Sequence, residues 1–138
     1  PQTNLFLQGR NHQTAIPRGL TAIRTLQEAG VLVAAGADNV QDPFNPVGRS
    51  DPLETAALMV MAGHQLPDIA YEMVSNDARE CIGLLRVDVA VGAPADLLVI
   101  DATSIRHAMA DAPLSRRVYH NGLLVASANQ QTVVHRTE

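Results

Sequence analysis

The 138-residue sequence holds one cysteine, Cys81, and no tryptophan. A lone thiol cannot close a disulfide within the chain, and it rules out a zinc site built from several cysteines. Aromatic residues make up 3% of the chain, too few for a base-stacking surface. Ten Lys and Arg face 14 Asp and Glu, giving a net charge of −4 with no basic cluster, so nucleic-acid binding has no electrostatic footprint. No apolar run approaches the ~20 residues that cross a bilayer. No basic stretch leads into an apolar core as in a secretory leader, so a cytoplasmic protein without a membrane partner is expected. Also missing are a Gly-x-Gly-x-x-Gly dinucleotide loop, a Gly-x-Ser-x-Gly elbow, and any His-x-His pair among the five histidines. There is no initiating Met, and the opening PQTNLFLQGR reads as the start of a strand, as in a piece of something longer.

What is present suits a globular protein: 46% hydrophobic and 17% charged residues. Asn4 to Leu7 is a short apolar run compatible with a buried strand. From Arg18 to Ala29, Leu20, Ile23, Leu26 and Ala29 line one helical face, with Gly30 as the stop. Val31 to Ala35 is a continuous apolar run, the pattern of a parallel strand covered on both faces. Strand, helix and strand in that order predict a βαβ unit. Asp51 then caps a helix with Pro52 at its first position and Glu54 three residues after the cap, ending near Ala62 and Gly63. Pro67 starts another helix, and a third lies between Ser75 or Asn76 and Gly83. Composition changes after Leu84. Leu97 to Ile100 predicts a strand, and RRVYHNGLLVAS predicts two strands joined by Asn121-Gly122, the strongest short hairpin signal. QQTVVHR offers one further strand. The expected organisation is α/β over residues 1–84 and a small β-rich module over 85–138.

The stretch VLVAAGADNVQDPFNP, residues 31–46, sets two polar side chains at the end of a buried run. Active sites of parallel α/β folds gather at the C-terminal ends of strands. Asp38 there can ligate a divalent cation or take and return a proton during hydrolysis. It can equally hold a turn, as Asx residues do.

GADNVQDPFNP, followed by DPLETAALMVMAGHQ, VSNDARECIGL, VAVGAPADLLVID and VYHNGLLVAS, resembles the C-terminal third of the amidohydrolase superfamily, closest to its cytosine deaminase-like branch. The resemblance covers essentially the whole chain. It implies the C-terminal part of a (β/α)8 TIM-like barrel (its last two βα units) plus a sandwich-like β module. It further implies a metal-dependent hydrolase acting on a non-peptide C–N bond of a cytosine-like or triazine-type ring. One divalent ion, Zn or Fe, would be held by Asp38 and by ligands not in this chain. Asp38 would be both metal ligand and proton shuttle, with Asn39 and Phe44 contacting the heterocyclic substrate. Asn39 and Phe44 stand where bacterial cytosine deaminases carry Asp and Trp. The Asn resembles the related enzymes that remove the isopropylamine group from N-isopropylammelide. On this reading the segment alone is inactive and tends to homo-oligomerise or to pair with the missing N-terminal part of the barrel. The alternative is a non-catalytic binding or interaction module derived from an amidohydrolase fragment.

The other polar candidates carry less. His12, Gln8 and Arg10 follow the first predicted strand and could reach a substrate or serve the neighbouring loops. His64 suits a helix terminus, and His107, His120 and His135 read as surface residues. Asp42, before Pro43, shapes a turn. Cys81, Met59, Met61 and Met73 read as packing.

Overall fold

The structure, a computed structural model, describes residues 1–16 and 19–135. The chain divides into two compact units, Pro1–Arg86 and Val87–Glu138.

The first unit is built on helices. α3 (Pro52–Met61) starts as its sequence dictates: Asp51 Oδ1 accepts the Leu53 N–H at 3.0 Å, and Pro52 occupies the first turn, where no N–H is needed. Glu54 does not close a reciprocal box with Asp51. Its carboxylate takes the Arg49 guanidinium at 3.1 Å, and the Arg49 N–H at 3.4 Å. α4 (Pro67–Val74) packs on α3, and α5 (Asn76–Cys81) follows after Ser75. Ala56 and Ala70 are fully buried, and Leu53, Met59 and Met73 fill the space around them. Burial of each large apolar side chain contributes about 1.5–3 kcal/mol. Beyond α5 the chain is strapped down by Arg86, whose guanidinium meets Asp77 at 2.8 Å, Glu80 at 3.2 Å and Glu72 at 2.5 Å.

Both strands expected in this unit are corrected. Asn4 to Leu7 lies in a helix, α1 (Gln2–Leu7), and Val31 to Ala35 forms neither helix nor strand. A strand needs a neighbour to take its N–H and C=O groups, and no ladder forms among the described residues of this unit. The first segment satisfies its groups internally, beginning with Leu5 N–H to Pro1 C=O at 2.9 Å. The second makes a contact to α4, Ala35 N–H to Met73 C=O at 2.8 Å, and leaves Val31 and Leu32 exposed. Between them α2 spans Ile23–Glu28, shorter than expected; Arg18 lies outside the described residues. Cys81 and Met61 are exposed, against the expectation of packing, while Met59 and Met73 are core.

The second unit is an antiparallel sheet in the order β1 (Leu97–Ile100), β2 (Arg116–His120), β3 (Leu123–Ala128). Asn121 and Gly122 both take positive φ, 50° and 78°, as a two-residue turn with the twist of its strands requires. Asp96 secures that turn, accepting the Asn121 N–H at 3.0 Å and pairing with His120 Nδ1 at 2.8 Å. A helix not expected from the sequence, α6 (Ile105–Asp111), follows β1. Ser104 Oγ accepts the His107 N–H at its start, and the His107 ring accepts the Thr103 N–H. The strand expected near QQTVVHR is absent over residues 130–135. A sandwich requires two sheets; among the described residues there is one.

Candidate functional site

Residues 36–48 form a loop that folds around its own polar groups. Asp42, Pro43, Phe44 and Asn45 make a turn in which Asp42 and Asn45 exchange backbone hydrogen bonds at 3.2 and 3.3 Å. Pro43 presets φ at the second position, and Asp at the first accepts the following N–H groups, which is why this tetrapeptide turns. Asp42 Oδ1 accepts from both Phe44 N–H and Asn45 N–H at 2.9 Å. Its Oδ2 accepts from Asn39 Nδ2 at 2.6 Å. Partial desolvation works against the charge on Asp42. The hydrogen bonds from Phe44, Asn39 and Asn45 outweigh it and hold the carboxyl below its ordinary range.

Asn39 is held at its side-chain amide and at its carbonyl. Besides the bond to Asp42, its Oδ1 faces the Thr3 hydroxyl of α1 at 3.5 Å, and its carbonyl accepts from Asn45 Nδ2 at 2.6 Å. Asn45 is buried, and so are Gln2 and Thr3. Gln2 Nε2 donates to Thr55 Oγ1 at 2.9 Å, joining α1 to α3 beneath the loop.

Asp38, just before this clasp, has φ of 61° and is exposed. Asp and Asn tolerate that left-handed region better than most residues. A cavity of about 230 Å³ opens beside Pro1, Val33, Gly36, Met59 and Met73; Asp38 lies two residues past its rim at Gly36. Phe44 is 53% exposed at the outer end of the turn. The structure thus joins Asn39 to Asp42 by a hydrogen bond, sets Asp38 next to them in the chain, and leaves Phe44 largely exposed.

Asp38 is one oxygen donor. Among the described residues no three His, Cys, Asp or Glu side chains gather closely enough to hold an ion. The described side chains therefore do not by themselves fit a divalent metal. Nor do the histidines converge here. The His12 backbone N–H bonds to Gly9, the His64 carbonyl accepts from Arg24, and His107 pairs with Asp111. Arg10 lies over the Phe6 ring at 4.5 Å.

A model of the amidohydrolase family matches residues 1–128. The chain belongs to the amidohydrolase family. A pterin deaminase from Rhizobium rhizogenes is 36% identical, the match covering 74% of this chain and 24% of that protein. The structure of 5-methylcytosine deaminase from Klebsiella pneumoniae, liganded with 5-fluorocytosine, is 25% identical with a TM-score of 0.74. That match covers 98% of this chain and 34% of the other. N-isopropylammelide isopropylaminohydrolase from Burkholderia multivorans is 32% identical with a TM-score of 0.64, over 82% of this chain and 30% of the other. These similarities set this amidohydrolase in the cytosine deaminase-like branch. It spans about a quarter of the length of the curated pterin deaminase and about a third of the structural neighbours. Among the described residues no helix is long and apolar enough to cross a membrane.

Proposed function

We propose that this chain is the C-terminal part of a barrel amidohydrolase that removes an amino group from a nitrogen heterocycle, with Asp38 as its reaction carboxylate. The observation that carries the reading is the family match along residues 1–128, which takes in the hydrogen-bonded loop that follows Asp38. Its similar proteins are a pterin deaminase, a 5-methylcytosine deaminase and an aminohydrolase of N-isopropylammelide, which supports a flat ring carrying an amine as the substrate class.

Asp38 is suited to accept a proton from an attacking water and to return it to the departing amine, because a carboxylate oxygen can take up a proton and give it back. Its left-handed backbone turns it out of the segment that precedes it. Phe44 offers an uncovered ring for stacking on the heterocycle. Asn39 gives one Nδ2 hydrogen to Asp42 and keeps the second for a substrate acceptor. A divalent ion, general among amidohydrolases, would supply water acidified to neutral pH. Asp38 would be one of its ligands, the rest coming from outside this chain.

The test is ammonia release from pterin, cytosine and an aminotriazine by the full-length gene product and its Asp38→Asn variant. We expect the variant to lose at least about 100-fold in kcat, the scale of a removed general base, and the 138-residue chain alone to be inactive. Undiminished turnover by Asp38→Asn refutes the assignment. About one divalent ion per full-length chain supports the enzyme, whereas none supports a non-catalytic module.

A further inference from the structure

We infer that Asp42 is a positioning residue: its carboxylate closes a clasp on Asn39, Phe44 and Asn45 that holds Asp38 in its left-handed conformation. This rests on the reading of Asp38 given above. An Asx turn needs one oxygen only, and Asp42 Oδ1 performs that role on the Phe44 and Asn45 N–H groups. The second oxygen does something a turn does not require. It reaches back to Asn39, the neighbour of Asp38, at 2.6 Å.

Three donors therefore converge on one side chain, and only a carboxylate can take all three. An asparagine at position 42 would present an NH₂ to the NH₂ of Asn39. Because the ionised carboxylate accepts and never donates, it also fixes which way the Asn39 amide faces, with nitrogen toward Asp42 and oxygen toward Thr3. The Asn39 carbonyl is held independently by the buried Asn45 amide. With its side chain and its carbonyl both fixed, residue 39 leaves residue 38 little freedom to rotate out of positive φ. Asn39 belongs to the support of Asp38 as much as to any substrate contact.

The chemistry supplies its own reversal. Asp42→Asn sets donor against donor, and Asn39→Asp sets two carboxylates 2.6 Å apart. The double exchange, Asn39→Asp with Asp42→Asn, restores one donor and one acceptor. Amide hydrogen exchange across residues 38–45 is read in the 138-residue chain, and kcat and KM with pterin and cytosine in the full-length gene product. For each single variant we expect about tenfold faster exchange at Phe44 and Asn45, with α3 and α4 unchanged, as one lost charge-assisted bond implies. We expect kcat to fall about tenfold while KM moves less than about threefold, and the double exchange to recover both readouts. Unchanged exchange in Asp42→Asn overturns the clasp. A loss of kcat that the double exchange does not recover overturns the positioning role. If Asp38→Asn keeps full turnover, the reading of Asp38 has failed, and the exchange data still decide whether the clasp exists.

Discussion

Gly48 gives the most direct handle on the loop. Its φ is not in the left-handed region, so its lack of a side chain answers to space and not to backbone conformation. A Cβ built there would stand 2.4 Å from Asn45 Nδ2, 3.0 Å from Asn45 Cγ and 3.3 Å from the Asn39 carbonyl oxygen. In Gly48→Ala the asparagine must therefore swing away, which breaks its 2.6 Å bond to the Asn39 carbonyl. Asn45 is 3% exposed, so the freed groups are not rehydrated, and their loss costs about 1–3 kcal/mol. Against this, replacing Gly by Ala reduces the freedom of the unfolded chain, stabilising by about 0.4–1 kcal/mol. The clash wins, leaving a net loss of about 1–2 kcal/mol, or about 4–15 °C in Tm for a unit of this size. Thermal unfolding followed by circular dichroism measures it. Adding Asn45→Ala to Gly48→Ala gives a second check, because the two closest contacts of the methyl are then gone, leaving the Asn39 carbonyl oxygen at 3.3 Å, and the two effects must be strongly non-additive. A Gly48→Ala chain as stable as the parent, or additive effects in the double variant, would refute the packing described for this loop.

Two further outcomes follow from the core and from charge. Met73→Ala removes a side chain that is 1% exposed, and is expected to cost about 2–5 kcal/mol, visible as a lower urea midpoint at unchanged slope; a loss below about 0.5 kcal/mol would contradict its place in the core. The Asp42 carboxyl is held below its ordinary value of 3.8, so its contribution is fully present above that value and is lost as pH falls through the lower folded value. Exchange at Phe44 and Asn45, corrected for its intrinsic pH dependence, should thus accelerate only below about pH 4, and acceleration beginning near pH 6 would implicate another group.

Features encoded by neighbouring residues were legible in the sequence. Asp51-Pro52, Pro67, Asn121-Gly122 and the Asp42-Pro43 turn all act through bonds to groups within a few positions, and each sits where its chemistry puts it. Asn4–Leu7 and Val31–Ala35 failed for the opposite reason. Apolar runs of four or five residues carry no information about a partner, and strand formation depends on one. α6 was missed because Ile105–Asp111 shows only one apolar repeat, and its cap is set by Ser104 and His107 acting together. In the site, Asp38 was visible as a polar residue ending an apolar run. Asp42 was visible only as a turn former, because its bond to Asn39 depends on how the loop closes.

That contrast bears on how a reaction carboxylate can be aimed. At the end of a strand, a side chain takes its direction from the ladder behind it. The segment before Asp38 has no ladder among the described residues, and its recorded tie to α4 is the bond from Ala35. Yet Asp38 takes a positive φ, and the groups that hold the following residue come from positions 3, 42 and 45. On the proposed reading, the direction of the carboxylate is carried by side-chain hydrogen bonds from this loop and from Thr3 of α1. Those bonds need a carboxylate at 42, an amide at 39 and at 45, and no side chain at 48. A substitution at any of the four would turn Asp38 without touching it.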